Sequence, residues 1–142
     1  MPTATTALKT FWSLDLDHLD GGWRELEPWP GPGRMLAVAG VARSDFLLFS
    51  GASLRAGADG KPVRTLLRDA YRFTPGPGWR RLADLPRAAV AAPSPAIPRG
   101  DGALLVVTGD DGTKVDFQPV REHPGFPRDV LAYDTATDRW TV

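Results

Sequence analysis

The apolar residues of this chain fall in short runs separated by glycine and proline, a pattern that predicts strands and turns. Two of these runs, Asp45–Gly51 and Ala103–Gly109, end in a glycine. A continuous apolar run of this length, bounded by turn residues, is typical of a strand covered on both faces. Each is preceded by a run of small apolar residues, Met35–Ala42 and Ala88–Ala92, which we predict to form a further strand. No segment has a sustained helical period, so the sequence predicts an all-β protein.

A second pair of segments, Arg68–Trp79 and Arg128–Trp140, indicates that the pattern repeats. Each begins with Arg-Asp, continues as an alternating strand to an aromatic residue, and reaches a tryptophan after a turn. A looser copy lies at Phe11–Trp23, so that the three tryptophans are 56 and then 61 residues apart. A repeat on this scale predicts an array of similar sheet units.

The order of strands within one period identifies the kind of unit. A small-residue strand, an apolar strand ending in glycine, a loop, the Arg-Asp strand and the tryptophan strand follow one another. This order resembles the kelch repeat, in which each period of about 50 residues builds one four-stranded antiparallel blade of a β-propeller. The usual pair of glycines is reduced here to one. The residues that carry the resemblance are the glycine, the aromatic and the tryptophan of each unit: Gly51 and Gly109; Phe73 and Tyr133; Trp23, Trp79 and Trp140.

The resemblance implies an incomplete ring of about two and a half blades. We expect the outer strands of one blade in residues 8–33, a second blade in residues 34–87 and a third in residues 88–142. This division gives about ten strands, which is not a multiple of four. The sequence therefore predicts that residues 1–142 are part of a longer propeller.

The repeated residues are expected to be structural. Gly51 and Gly109 stand where an apolar strand ends, and a glycine there provides a positive φ or a close approach of two backbones. The tryptophans and their aromatic partners are expected to pack in the core between neighbouring blades. Arg68-Asp69 recurs as Arg128-Asp129, which favours a role in bracing the start of the third strand of each blade.

Composition and charge exclude several classes of function. The chain has 17 basic and 17 acidic residues, so no overall field attracts nucleic acid or an anionic membrane. It has no cysteine, which excludes disulfides, thiolate zinc ligands and thiol nucleophiles within these residues. The first residues lack the apolar stretch of a signal peptide, and no run approaches the ~20 apolar residues of a membrane helix. We predict neither a nucleic-acid partner nor membrane insertion, and the compartment and oligomeric state stay open.

Two long loops, Ala52–Leu67 and Asp110–Pro127, join the second strand of a repeat to the third. Long loops in a compact domain are often functional. The segment His123–Trp140, with Leu8–Leu16 upstream, resembles the bacterial N-acetylneuraminate epimerase (sialic acid mutarotase) group of kelch proteins. The resemblance implies a six-bladed propeller, often exported to the periplasm, that interconverts the α and β anomers of N-acetylneuraminate with no cofactor and no metal.

The chemistry implied by this resemblance needs an acid and a base, because mutarotation opens and recloses a hemiacetal ring. A base removes the proton of the anomeric hydroxyl while an acid protonates the ring oxygen. Glu122 or His123 is the predicted acid or base. The carboxylate of the sugar calls for a guanidinium, and Arg121, Arg128 or Arg55 is predicted to bind it.

Two further functions are compatible with the sequence. A noncatalytic kelch module would bind a protein or a glycan through the same loops. A copper oxidase of the galactose oxidase type is disfavoured by the absence of cysteine. The acidic stretch Gly109–Gly112 lacks the alternating oxygen ligands of a calcium loop and predicts a hairpin-like turn instead. His18, close to Asp17 and Asp20, is predicted to lie in a solvated turn.

Overall fold

The protein is all-β. The computed structural model describes residues 4–142, which contain twelve β-strands, two short 3-10 turns and no α-helix. None of the helical segments in this part of the chain has the length or apolar character needed to cross a membrane. The strands are β1 (Phe11–Ser13), β2 (Arg24–Leu26), β3 (Val38–Ala42), β4 (Asp45–Phe49), β5 (Ala52–Ala56), β6 (Pro62–Leu66), β7 (Ala70–Thr74), β8 (Gly78–Leu82), β9 (Ile97–Arg99), β10 (Ala103–Val107), β11 (Val130–Asp134) and β12 (Arg139–Thr141).

Two four-stranded antiparallel sheets form the main body of the structure. Their strand orders are β3-β4-β7-β8 and β9-β10-β11-β12, and a two-stranded sheet, β1-β2, precedes them. The repeat places the aromatic and the tryptophan of each unit opposite one another, with Phe73 paired to Trp79 and Tyr133 paired to Trp140. The prediction of antiparallel four-stranded blades is confirmed. We call the β1-β2 sheet the first blade, the β3-β4-β7-β8 sheet the second blade and the β9-β10-β11-β12 sheet the third blade.

The largest core lies between the second and third blades. The continuous apolar run of β4 is buried on both faces, as predicted, whereas β10 is buried on the face of Leu104 and Val106 and half-buried on the other. Phe49 of the second blade packs edge-on against Tyr133 and Trp140 of the third, with ring centroids 5.5 and 5.1 Å apart. Burying a side chain of this size contributes about 1.5–3 kcal/mol. The fully buried side chains of this core include Val38, Leu47, Phe49, Leu85, Leu104, Val106, Leu131 and Tyr133.

A second core joins the first blade to the second. The ring of Phe11 lies 5.0 Å from that of Trp79 and 5.3 Å from that of Phe46. Trp29, in the connection from β2 to β3, is buried beside Tyr71. The three sheets are therefore stacked in chain order, each on the next.

The expectation that all three repeat tryptophans are core residues is correct for two of them and wrong for Trp23. Trp79 and Trp140 are half-buried. The indole nitrogen of each donates a hydrogen bond to the backbone carbonyl of the residue that follows the last strand of the preceding blade. The side chain of Trp23 is 65% exposed. The reason is positional, since within residues 4–142 no sheet precedes the first blade.

The first strand of the third blade is Ile97–Arg99, and the prediction of a strand at Ala88–Ala92 is wrong. The Ala88–Ala92 segment is mostly buried and makes a single bridge, from Val90 to Asp110. Ala91 has a φ of 56° and donates its N–H to Leu36 in the connection before β3. The small residues of this segment permit close packing between the blades, and this packing, rather than a strand, accounts for the run of alanines.

The segment Ala52–Leu67, predicted as a long loop, is a β-hairpin. Its strands β5 and β6 pair in register from Ala52 opposite Leu66 to Ala56 opposite Pro62. This hairpin is inserted between β4 and β7 of the second blade and raises the number of strands from the expected ten to twelve.

Candidate functional site

The long connections of the second and third blades leave from the same end of the stacked sheets. In an antiparallel sheet, successive connections alternate between the two ends. The short β3–β4 and β7–β8 turns therefore lie at one end, and the β5-β6 hairpin lies at the other. Residues 108–129, which join β10 to β11, lie at the hairpin's end because β10 is the counterpart of β4. We call this end of the two blades the loop end.

Each long connection starts at a residue and a glycine with unusual backbone angles. Ser50 and Thr108 have φ of 54° and 56°, and the glycines that follow them, Gly51 and Gly109, have φ of 101° and 95°. A Cβ on Gly51 would lie 2.9 Å from the carbonyl oxygen of Met35, and one on Gly109 would lie 2.8 Å from the backbone of the 88–92 segment. A positive φ and a close backbone approach were predicted as alternatives for these glycines, and both occur at each of them.

A buried arginine closes the base of the hairpin. The guanidinium of Arg34 donates to both carboxylate oxygens of Asp69, at 2.9 and 2.7 Å, and to the carbonyl of Ser50 at 2.8 Å. Its side chain is 1% exposed, and its charged group lies 5.5 Å from the ring of Trp29 and 5.3 Å from that of Tyr71. The bidentate pairing and the aromatic faces offset the cost of burying this charge.

The same arrangement recurs in the third blade with Arg87. Its Nε lies 3.1 and 3.2 Å from the two carboxylate oxygens of Asp129, and its Nη2 also donates to that group. Its Nη1 donates to the carbonyls of Thr108, at 3.1 Å, and Ala88, at 2.9 Å. The hydrogen bonds from Arg87 lower the pKa of the Asp129 carboxyl below its ordinary value.

The bracing role predicted for the two Arg-Asp pairs is confirmed for Asp69 and Asp129 by these contacts. It is not found for Arg128, whose guanidinium makes no hydrogen bond within residues 4–142. The arginine partners of the aspartates were not predicted. Arg68 is also structural, since its Nε donates to the carbonyl of Leu85 at 2.8 Å. A signal for the missed arginines exists in the sequence: Arg34 and Arg87 each come directly before one of the two small-residue runs.

The predicted acid–base residues lie in the middle of residues 108–129. Val120–Glu122 forms a 3-10 turn, and Arg121 and Glu122 are exposed on it. The Nε of Arg121 lies 3.4 Å from one carboxylate oxygen of Glu122. The carboxylate thus faces solvent with a positive charge at one side.

His123 is held more firmly than its neighbours. Its Nδ1 accepts a hydrogen bond of 3.0 Å from the backbone N–H of Gly125. Its half-buried ring packs between the rings of Phe117 and Phe126, with centroids 5.5 and 5.8 Å away. Because a backbone N–H only donates, Nδ1 must be the acceptor, which places the proton of the neutral ring on Nε2.

The three predicted arginines are distributed over two connections. Arg121 is beside Glu122, and Arg128 is exposed at the end of the same connection, directly before Asp129. Arg55 is exposed on β5 opposite Val63, about 10 Å along the hairpin from its base at a strand's rise per residue. Within residues 4–142, no hydrogen bond or ion pair joins Arg55 or Arg128 to the other predicted site residues.

The acidic stretch after Gly109 forms two side-chain-capped turns rather than a hairpin. Asp110 accepts from the N–H of Gly112, and Asp111 accepts from the N–H and hydroxyl of Thr113. The part of the chain that the structure describes contains no group of three His, Asp or Glu side chains placed to hold a metal ion. His18 is exposed, as predicted, and lies 3.1 Å from the carboxylate of Asp15.

The sequence is similar to two N-acetylneuraminate epimerases of Haemophilus influenzae, from strains PittEE and 86-028NP. Each is 27% identical to this protein over 154 residues, which cover 92% of this chain and 40% of the relative. No protein-family model matches the chain. The similarity supports a distant relationship to these N-acetylneuraminate epimerases.

The structure is similar to a solved structure of YjhT. The TM-score is 0.60 at 15% sequence identity, and the match covers 84% of this chain and 33% of that chain. At this identity the likeness establishes the fold alone. The sheets are kelch-type β-propeller blades. The blades in residues 4–142 do not close a ring, and the chain spans about 40% of the length of the curated relatives it matches.

Proposed function

We propose that this chain supplies part of the sugar site of a mutarotase-like kelch propeller that interconverts the anomers of an acidic sugar. The observation that carries the proposal is the similarity to N-acetylneuraminate epimerases, which extends over 92% of the chain. The grouping of Arg121, Glu122 and His123 on one connection at the loop end supports it.

The proposed reaction needs only proton transfers. Removal of the proton from the anomeric hydroxyl and protonation of the ring oxygen break the bond between the anomeric carbon and that oxygen. The open form rotates about the bond to its carbonyl carbon, and the reverse transfers close the ring on the other face. No electron is exchanged, and the proton that the base takes from the anomeric hydroxyl is passed to the ring oxygen, so one carboxylate that accepts and returns this proton, a hydrogen-bond donor and a group that binds the sugar carboxylate are sufficient.

Glu122 is the proposed base. Its carboxylate is exposed and can reach a bound hydroxyl, whereas the buried carboxylate of Asp69 is occupied by Arg34. Arg121 lies beside one carboxylate oxygen of Glu122, and the other oxygen has no partner in residues 4–142. An ionised carboxylate with one free oxygen is able to accept a proton from the sugar.

His123 is the proposed hydrogen-bond donor. The contact from Gly125 occupies Nδ1, so the ring presents an Nε2–H, and the flanking phenylalanines fix its direction. A neutral imidazole oriented this way stabilises developing negative charge on a sugar oxygen. This assignment divides the two roles that the sequence leaves open between Glu122 and His123.

Arg128 is the proposed partner of the sugar carboxylate. Its guanidinium is exposed and makes no hydrogen bond within the described residues, whereas that of Arg121 is beside Glu122. A free guanidinium binds a carboxylate through two parallel hydrogen bonds. Arg55, near the tip of the hairpin, is a second candidate for the same group.

The test is the rate of anomer exchange of N-acetylneuraminate, followed by proton NMR on the protein in its full natural length. Glu122→Gln keeps the shape of the side chain and removes the base, and we expect it to lower the enzyme-catalysed rate by about 10²-fold or more. Glu25→Gln, an exposed residue on β2, is the matched control and should leave the rate unchanged. Wild-type protein that does not accelerate exchange, or E122Q with full activity, would reject the assignment.

A noncatalytic glycan- or protein-binding module is the second candidate. It is favoured by the apolar side chains exposed on the same connection: Val115 is 66% exposed, Val120 70% and Phe126 52%. Large apolar side chains exposed on one connection are available for contact with a partner. Saturable binding of the sugar without any acceleration of anomer exchange would select this alternative.

A further inference from the structure

Arg87 joins the two ends of the connection that carries the proposed acid–base residues. We propose that it is a positioning residue, which fixes residues 109–128 at their base and thereby sets the direction of Glu122 and His123. The inference rests on the proposed function for its catalytic consequence, but the effect on the connection itself does not depend on any activity.

Three contacts join the two ends of the connection at the edge of the blade. Arg87 donates to the carbonyl of Thr108, where the connection begins, and to the carboxylate of Asp129, where it ends. The N–H of Thr108 also donates to the carbonyl of Asp129 at 3.2 Å. A single side chain therefore holds both ends of the connection against the segment that precedes β9.

The second blade contains an independent copy of the arrangement, with Arg34 bridging Ser50 and Asp69. There the N–H of Ser50 donates to the carbonyl of Asp69 at 3.1 Å, as Thr108 does to Asp129. The occurrence of the same contacts in two blades shows that they belong to the repeat.

The two copies differ in what they support. The connection above Arg34 is a hairpin whose own ladder, from Ala52–Leu66 to Ala56–Pro62, keeps its shape. Residues 109–128 contain no strand, and their regular structure is limited to the 3-10 turn Val120–Glu122. Without a ladder of its own, this connection depends more than the hairpin does on the contacts that hold its two ends. We therefore assign the positioning role to Arg87 and not to Arg34.

Arginine is suited to this task because its planar group offers several donors in fixed directions. Arg87 uses Nε and Nη2 for Asp129 and Nη1 for two backbone carbonyls. A lysine at this position carries the same charge on a single nitrogen and cannot satisfy the carboxylate and both carbonyls in this geometry.

The experiment compares Arg87→Lys with wild type by hydrogen exchange of backbone amides and by anomer-exchange kinetics. We expect amides in residues 110–128 of R87K to exchange about tenfold faster or more, while amides of β10 and β11 keep their wild-type rates. We expect kcat for anomer exchange to fall about tenfold or more and KM to rise, because the loosened connection carries both the base Glu122 and the carboxylate partner Arg128. Arg81→Lys, an exposed arginine paired with Asp84, is the control and should change neither measurement.

Unchanged exchange in residues 110–128 would overturn the inference, and so would a uniform increase across the third blade, which would show a merely structural role. If R87K does not fold, Asp129→Asn removes the charge and keeps the shape, and the same local increase in exchange is expected. Wild-type protein without mutarotase activity would reject the proposed function, while the exchange measurement would still decide whether Arg87 fixes the connection. An active wild type whose R87K variant keeps full kcat would overturn the catalytic consequence alone.

Discussion

The indole nitrogen of Trp140 donates a hydrogen bond to the backbone carbonyl of Ala83, 3.0 Å away. This contact ties the outermost strand of the third blade to the residue that follows the outermost strand of the second. Trp79 makes the same contact to Glu27, at 2.7 Å, between the first two blades. The second and third blades are therefore each hydrogen-bonded at the outer edge to the blade before them, in addition to the apolar cores between the blades.

Replacement of Trp140 therefore weakens the contact between blades. We expect Trp140→Ala to lower the free energy of unfolding by about 3 kcal/mol, from lost aromatic packing and from the loss of the hydrogen bond to Ala83. Trp23→Ala is the matched control and should cost less than about 1 kcal/mol, since that side chain is 65% exposed. Urea unfolding of both variants measures the difference. Equal losses in the two variants would contradict the distinction drawn between these tryptophans.

The backbone at Gly51 leaves no room for a side chain. We expect Gly51→Ala to destabilise the protein by about 2 kcal/mol or more, because the added Cβ would lie 2.9 Å from the carbonyl oxygen of Met35 in addition to the strain at a φ of 101°. Gly60→Ala separates the two causes. Gly60 also has a positive φ, 75°, but has no atom within 4 Å of the added Cβ. The smaller loss of stability expected for Gly60→Ala in thermal unfolding gives the cost of the positive φ alone. A loss of stability as large as that of Gly51→Ala would refute the steric explanation.

Ser50 connects three segments through one buried hydroxyl. The hydroxyl donates to the carbonyl of Leu67 and accepts from the N–H of Ala89, each at 2.8 Å, so it joins the hairpin of the second blade to the connection entering the third. Ser50→Ala leaves both backbone groups without this partner and should cost about 1–3 kcal/mol. Ser53→Ala, on the half-buried strand β5, is the control for loss of a hydroxyl. Unfolding curves for S50A that coincide with wild type would show that the bridge contributes nothing.

Stability should depend on the ionisation of Asp129. In the folded protein its pKa is below the ordinary value of 3.8, because Arg87 donates hydrogen bonds to the carboxylate. At acid pH the unfolded chain then binds the proton more readily than the folded one. The stabilisation is fully present well above that ordinary value and is lost as the pH falls through it towards the folded pKa.

The measurement for this prediction is the free energy of unfolding between about pH 5 and about pH 3, in wild type and in Asp129→Asn. The wild type should lose stability more steeply over this interval than D129N does. The same slope in both proteins would show that the pair with Arg87 does not contribute to the acid dependence.

Much of the fold follows from the sequence because each strand of the repeat carries a local signal. The apolar runs ending in Gly51 and Gly109 predict the second strands of the two blades, and the strand-turn-tryptophan units predict the outer hairpins. The prediction of a strand at Ala88–Ala92 is wrong because runs of small residues occur in closely packed segments as well as in strands. The hairpin Ala52–Leu67 is missed because it has no continuous apolar run, its strands being stabilised by pairing with each other.

The candidate site is less predictable than the fold. The polar residues 121–123 can be read from the chain, but the contact that fixes the tautomer of His123 depends on the backbone N–H of Gly125. The pairing of Arg87 with Asp129 joins residues 42 apart in the chain, and only the stacking of the segment before β9 on the base of the connection brings them together.

The most direct test of the functional account is to compare the anomer-exchange rates of N-acetylneuraminate and its methyl ester in the presence of the full-length protein. The two sugars share the hemiacetal and differ in the charge that the arginines are proposed to bind. Saturable acceleration of the acid, with little acceleration of the ester, is the expected result. Exchange of both sugars at their spontaneous rates would contradict the proposal of a mutarotase for acidic sugars.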